Sequence, residues 1–194
     1  MRIAPVGLLH PPSRRRELVS DVALTCDSHY SRTALAAACL IAGAVSAAVE
    51  GWGRDEVLAF ALKVGEWGET LIPEGPAPAV RYLVLNTVER VRSGTAAPGE
   101  AIAGLAATAT ADDAAALALC LAYFAADARQ AILEAANLGG DADTVASMAG
   151  GIAAALSPDT LPPEWVVEVE RVNNLDLAAV ARRLCDLRLR APSP

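Results

Sequence analysis

The sequence predicts an all-α protein, and its composition and its residue patterning support that prediction together. Of its 194 residues, 54% are hydrophobic but only 4% are aromatic, so a core must be built mostly from Ala, Leu and Val. Alanine favours helix because it loses no side-chain entropy there. Apolar residues recur at helical spacing, and no alternating pattern longer than a few residues indicates a strand. The length suits one compact domain, or a large part of one.

The first 27 residues are expected to be irregular or to form only short helices. Pro5, Pro11 and Pro12 interrupt any long element there. The basic run Arg14–Arg16 that follows the proline pair is interpreted as a solvated loop, because most charge runs behave in that way.

The rest of the chain divides into helical segments at its Gly, Pro and polar positions. Ser28 or Ser31 can cap a long helix that Gly51 ends, and Asp127 can cap another. The proline-containing loop over residues 73–78 is short and does not require a domain boundary. Helices are predicted over about residues 31–50, 54–70, 79–92, 100–109, 114–126, 128–138 and 142–156, near Glu164-Trp165, and over residues 175–190.

The charge balance and the cysteines restrict the class of protein. With a net charge of −7 the chain repels phosphate backbones, so we expect no nucleic-acid partner. Its four cysteines form no C-x-x-C pair, which leaves zinc and redox motifs unsupported. Cys39 and Cys120 lie in apolar runs and are interpreted as small core residues. We therefore expect a reduced, cytoplasmic compartment.

The apolar segments do not predict secretion or a membrane partner. Pro5 and Gly7 interrupt the short apolar run at the start, which argues against a secretory signal. The most apolar run, residues 34–49, is shorter than the roughly 18 residues that suggest a membrane span. It also contains Gly43 and Ser46, so we interpret it as a buried helix.

The stretch Gly139–Thr144 concentrates oxygen atoms beside very small residues. Its two glycines permit positive φ, and Asp141, Asp143 and Thr144 then lie at the start of a helix. Carboxylate and hydroxyl oxygens are ligands of Mg²⁺ and Ca²⁺. Residues two apart point away from each other on a helix, so Asp141 must lie in the loop for both carboxylates to meet. Three oxygens do not complete a coordination sphere, so further ligands must come from elsewhere, including water.

The same residues also have a purely structural interpretation, which spacing alone leaves open. Asp141 can cap the helix, Asp143 can interact favourably with its dipole, and Thr144 can merely be tolerated. The acidic pair Asp112–Asp113, at another helix start, is interpreted as capping rather than metal-binding. His29, in the loop before the first long helix, is either a structural hydrogen-bonding residue or a functional one.

Residues 137–146 resemble the C-terminal metal motif of the ADP-ribosylglycohydrolase family, also called ADP-ribosyl-acceptor hydrolases. The Gly-Gly-Asp-x-Asp-Thr core of that motif is fairly specific. Further stretches agree with the family in the same order, so the resemblance covers nearly the whole chain. They are residues 1–7, the Ser28-His29 loop, residues 161–165 and residues 172–176.

The resemblance implies an all-α orthogonal bundle that holds two Mg²⁺ ions in a cleft. Such enzymes hydrolyse the glycosidic bond between ADP-ribose and a protein or small-molecule acceptor. Asp141, Asp143 and Thr144 match the family's C-terminal metal ligands. His29 matches a histidine near the ADP-ribose, and the pair Gly139–Gly140 is assigned to substrate binding with it.

The chain departs from the family pattern at Ala142 and Ser28, where threonines are usual, and at its front. Family members carry an N-terminal half with a Thr-Asp-Asp metal motif, an acidic residue that can activate water, and a Gly-Asn-Gly phosphate loop. Residues 110–113 do not replace that motif, because their spacing and order differ. We therefore expect residues 1–194 to be the C-terminal part of the family domain. We assign no catalytic residue within it, and expect it to be a poor catalyst alone.

Two functional hypotheses follow from the resemblance. In the first, the chain is the C-terminal half of a Mg²⁺-dependent hydrolase of ADP-ribosylated substrates. Either its start is assigned too late, or a separate polypeptide supplies the N-terminal half; the partners considered are that half and a homo-oligomer. An apolar face left by the missing half would then be an interface. In the second, the chain is a non-catalytic relative that binds ADP-ribose or metal or has a structural role, like J1-type crystallins. A third alternative is a generic helical domain in which the Asp-x-Asp-Thr stretch is only a cap.

Overall fold

The computed structural model describes residues 1–190, which form eleven α-helices and no strand. The predicted all-α class is thereby confirmed. The helices are α1 (Ala4–Leu9), α2 (Arg15–Thr25), α3 (Arg32–Val49), α4 (Arg54–Thr70), α5 (Val80–Arg92), α6 (Pro98–Ala103), α7 (Ala111–Phe124), α8 (Ala128–Ala136), α9 (Ala142–Leu156), α10 (Pro163–Asn173) and α11 (Leu177–Arg190). Short 3-10 turns lie at Pro12–Arg14, Asp27–His29 and Pro158–Thr160.

Helix α3 lies at the centre of the bundle. Thirteen of its 18 residues are buried, and it packs against α1, α2, α4, α7 and α9. It is long and apolar enough to cross a membrane by length and composition, yet 72% of it is buried inside the fold. This burial confirms that the apolar run of residues 34–49 is a buried helix, and the bounds of α3 lie within one residue of the predicted 31–50.

Helices α3 and α4 approach each other closely because a glycine lies at their contact. A Cβ added to Gly68 would lie 2.7 Å from the Leu35 carbonyl oxygen and 2.8 Å from Cys39 Sγ. Cys39 and Cys120 are fully buried, and burial raises the pKa of each thiol to about 12. Both are core residues, as predicted.

The first 27 residues are more helical than predicted. Pro5 lies in the first turn of α1, where its missing N–H leaves no helix hydrogen bond unmade. The interpretation of Arg14–Arg16 as a solvated loop is wrong for Arg14, which is only 7% exposed. Its guanidinium donates hydrogen bonds to the carbonyls of Leu9 and Arg188, so it joins the two ends of the chain.

The other predicted helices are present, with small shifts in their bounds. Ser31 caps α3 by accepting a hydrogen bond from the Ala34 amide at 3.2 Å, and Asp127 caps α8 by accepting one from Gln130 at 2.7 Å. Two segments differ more. The helix expected over residues 100–109 ends at Ala103, and the short helix near Trp165 extends to eleven residues as α10.

Candidate metal and ligand site

The turn between α8 and α9 contains two glycines in the left-handed region, with φ of +73° at Gly139 and +58° at Gly140. At Gly140 a side chain is also excluded by contact, because an added Cβ would lie 2.1 Å from the Ala107 carbonyl oxygen. The Asp141 amide donates a hydrogen bond to that same oxygen at 3.3 Å. The turn therefore seats the start of α9 against the loop between α6 and α7.

Asp141 occupies the N-cap position of α9, but its carboxylate makes no capping hydrogen bond to the helix. Its backbone, with φ −83° and ψ 46°, is outside the helical region, as the metal-ligand interpretation requires. Its Oδ1 instead accepts a hydrogen bond from Thr144 Oγ1 at 2.9 Å. Two of the three predicted ligands therefore lie side by side, three residues apart on one face.

A cavity of about 430 Å³ lies beside this helix start. Asp141 and Thr144 line it from α9, and His29 lines it from the 3-10 turn before α3. Most of the remaining wall is apolar, and small side chains of α3 and α7, including Ala37, Ala38 and Ala114, contribute part of it. Helix packing thus brings three predicted site residues to one cavity.

His29 is an exposed residue at the rim of this cavity. Its Nδ1 lies 2.8 Å from the hydroxyl oxygen of Ser28, which also lines the cavity. If the hydroxyl donates to Nδ1, the other ring nitrogen, Nε2, carries the proton. His29 therefore adds a polar ring atom to the rim of the cavity.

Three other predicted residues do not reach the cavity. Asp143, Gly139 and Gly140 are exposed, and none of them lines it. Within residues 1–190, no group of three or more His, Cys, Asp or Glu side chains is placed to hold a metal ion. The assignments of Asp143 as a ligand and of the glycines to substrate binding stay predictions.

The acidic pair at the start of α7 was expected to cap that helix, but Thr110 is its cap, and the two carboxylates bond elsewhere. The Asp112 carboxylate accepts hydrogen bonds from the amides of Ala79 and Val80 at 2.9 and 3.2 Å, at the start of α5. Asp113 accepts a hydrogen bond from the Thr108 hydroxyl at 2.5 Å. Both carboxylates therefore have hydrogen-bond donors from the protein itself.

Sequence reasoning missed several cavity residues, among them Arg2, Cys26 and Thr110. Burial raises the pKa of the Cys26 thiol, while the positive charges of the chain's amino terminus and Arg2 oppose that shift. Thr110 caps α7 and reaches the cavity through the α6–α7 loop that Gly140 contacts. No local pattern marks these residues, because tertiary packing alone brings them together.

Comparisons with known proteins identify the family. A family model described as ADP-ribosylglycohydrolase matches residues 1–193. The chain is also 28% identical over 194 residues to the "Uncharacterized protein YegU" of Escherichia coli (strain K12). That match covers 97% of this chain and 58% of the relative, so the chain spans less than two thirds of the relative's length. The match over nearly all residues confirms the resemblance drawn from the motifs. The chain belongs to the ADP-ribosylglycohydrolase family.

Proposed function

We propose that this chain supplies metal ligands and part of the ADP-ribose site of a Mg²⁺-dependent ADP-ribosylglycohydrolase. One observation carries the proposal. The Asp141 carboxylate makes no capping bond to its own helix and instead lies beside Thr144 in a cavity that His29 also lines. A cavity of about 430 Å³ is within the size range of small-molecule sites, roughly 300–1,000 Å³.

The side chains at the start of α9 suit Mg²⁺, which takes one or two carboxylates and keeps several waters. Asp141, Asp143 and Thr144 would hold the ion. Both carboxylates are needed, because the N-terminus of a helix carries partial positive charge that repels a cation. Mg²⁺, when bound, supplies Lewis-acid polarisation of substrate oxygens. The second ion of the family site would take its ligands from polypeptide outside these residues.

The chain's own residues would bind and orient the ligand. The apolar wall from α3 and α7 suits the flat face of a nucleoside and excludes water from it. His29 would contribute a hydrogen bond at the rim, and the Gly139–Gly140 turn would let the substrate approach the backbone. We assign the water-activating base to an N-terminal half of the family domain outside residues 1–194, which would act with them on ADP-ribosylated substrates in the cytoplasm.

Titration calorimetry with MgCl₂ on the full chain tests the ligand assignment. Asp141→Asn and Asp143→Asn should each weaken Mg²⁺ binding at least about tenfold, since each removes a charged ligand. Asp159→Asn, at an exposed aspartate of the last 3-10 turn, is the matched control and should bind as the parent does. Unchanged binding in both site variants would show that the ligand assignment is wrong.

A second candidate is a non-catalytic relative that binds ADP-ribose or metal, or has a structural role. It is favoured by the absence, within residues 1–190, of a metal-binding cluster of three acidic, His or Cys side chains. Calorimetry with ADP-ribose separates the two candidates when combined with a hydrolysis assay. Binding without product release, even after addition of an N-terminal half, would favour the second.

A further inference from the structure

Helices α10 and α11 are amphipathic, yet neither has a buried residue. Among the described helices α11 packs mainly on α1, and α10 has no extensive contact with any of them. Their exposed apolar side chains are 47% to 76% accessible, a large fraction for aliphatic residues. They are Val167, Val169, Val172, Val180, Leu187 and Leu189.

Helix α11 is held in place by Arg188. Its guanidinium donates hydrogen bonds to the carbonyls of Gly7 and Leu8, at 3.2 and 2.9 Å, and pairs with Glu50. The side chain of Arg188 is only 10% exposed. Because these bonds satisfy carbonyls at the end of α1, the C-terminal part of α11 is a docked element.

Each of the two helices presents an apolar row with the same spacing. Trp165, Val169 and Val172 follow one another at i, i+4 and i+7 on α10. Val180, Leu184 and Leu187 do the same on α11. This spacing is typical of rows that pack against another helix. Asn174, in the left-handed conformation, ends α10 and separates the two rows.

The charges beside these rows have opposite signs. Helix α10 contains three glutamates and one arginine, whereas α11 contains four arginines and one aspartate. Glu164 and Glu168 lie four residues apart on one side of α10. Arg183 and Arg190 lie seven residues apart on one side of α11, next to Leu187. Glu168 pairs with Arg171 and Arg190 pairs with Asp186 at exposed positions of their own helices, where solvent keeps such pairs weak, whereas Arg183 has no ion-pair partner among the residues that the structure describes.

We propose that the apolar rows of α10 and α11 bind a second copy of this chain in a two-fold dimer. In this dimer, α10 of each copy packs on α11 of the other. Two-fold symmetry makes each such contact occur twice. It places the glutamates of one copy against the arginines of the other, whereas packing α10 on α10 would place like charges together. Arg188 docks α11 at the end of α1 opposite to Ile3, which lines the cavity. The dimer is therefore independent of the metal assignment.

Charge reversal tests this arrangement on the full chain. One variant combines Glu164→Arg with Glu168→Arg, and the other combines Arg183→Glu with Arg190→Glu. Light scattering coupled to size-exclusion chromatography should give a dimer for the wild type and a monomer for each variant alone. An equimolar mixture of the two variants should regain the dimer, since both of its contacts again pair opposite charges.

The controls separate a lost interface from a lost fold. All four positions are exposed, so circular dichroism should show wild-type helix content and each variant should still unfold cooperatively, at a melting temperature that no longer depends on protein concentration. A matched reversal elsewhere, Glu89→Arg with Arg129→Glu, should leave the dimer intact. A wild-type chain that stays monomeric at every concentration would overturn the proposal and indicate that another polypeptide covers this face. Failure of the mixed variants to pair would overturn it as well.

Discussion

The glycine pair before α9 allows a matched test of how this turn positions the site. Gly139→Ala and Gly140→Ala place the same methyl group at neighbouring residues, both with positive φ. The left-handed backbone costs an alanine about 1–2 kcal/mol at either position. At Gly139 nothing lies within 4 Å of the added Cβ, whereas at Gly140 the Ala107 carbonyl oxygen lies 2.1 Å away. Only Gly140→Ala therefore forces the turn and the α6–α7 loop apart.

The contact at Gly140 should add about 1–3 kcal/mol, the usual cost of overpacking. We therefore expect the free energy of unfolding to fall by about 1–2 kcal/mol in Gly139→Ala and by about 2–5 kcal/mol in Gly140→Ala. Urea unfolding measures both values. Because Asp141 bonds to the same carbonyl, Gly140→Ala should also weaken Mg²⁺ binding more than Gly139→Ala does. Equal unfolding free energies for the two variants would refute the reasoning.

Three further predictions concern the core and the docking of α11. Gly68→Ala should lower the free energy of unfolding, measured by urea denaturation, by about 1–3 kcal/mol, because the added Cβ meets the α3 backbone. Gly99→Ala is the control, and it should not destabilise the protein because open space surrounds its Cβ. The Cys39 and Cys120 thiols keep their protons to about pH 12, while the unfolded chain loses them from about pH 9. The free energy of unfolding should therefore fall above pH 9 by about 1.4 kcal/mol per pH unit for each thiol. In the Cys39→Ala, Cys120→Ala double variant, the free energy of unfolding measured in urea should depend less steeply on pH. Arg188→Ala should lower the free energy of unfolding by about 2–3 kcal/mol, because it removes charge-assisted hydrogen bonds. Amide hydrogen exchange in α11 should become faster. Unchanged exchange there would contradict the docking role of Arg188.

Local signals in the sequence predicted most of the helices. A cap such as Ser31 or Asp127 acts within three residues, so its effect can be read from neighbouring positions. Arg14 could not be read in this way. Its guanidinium bonds to the carbonyl of Arg188, which is 174 residues away, and no local pattern encodes that contact. Its burial is a property of the assembled fold, and the same holds for the docking of α11 on α1.

The candidate site likewise combines a part that local sequence predicts with a part that only tertiary packing determines. The adjacency of Asp141 and Thr144 follows from their three-residue spacing, together with a glycine turn that keeps Asp141 outside the helix. The position of His29 beside them depends on how α3 and α9 pack. In the sequence, only the family resemblance indicates that His29 lies near the site. Spacing alone could not decide between a cap and a metal ligand for Asp141. The absence of a capping bond in the structure bears on that choice.

Asp143 is the residue that decides whether the start of α9 supplies one carboxylate or two to a metal ion. Its carboxylate is exposed and away from the cavity, as expected for a residue two positions after Asp141. A single carboxylate beside the positive end of α9 is a weak site for a cation, since the helix dipole opposes it. If Asp143→Asn weakens Mg²⁺ binding as much as Asp141→Asn does, both carboxylates act on one ion and the start of α9 must adjust when the ion binds. If only Asp141→Asn has an effect, the second charge must come from outside these residues, which then hold only part of a metal site.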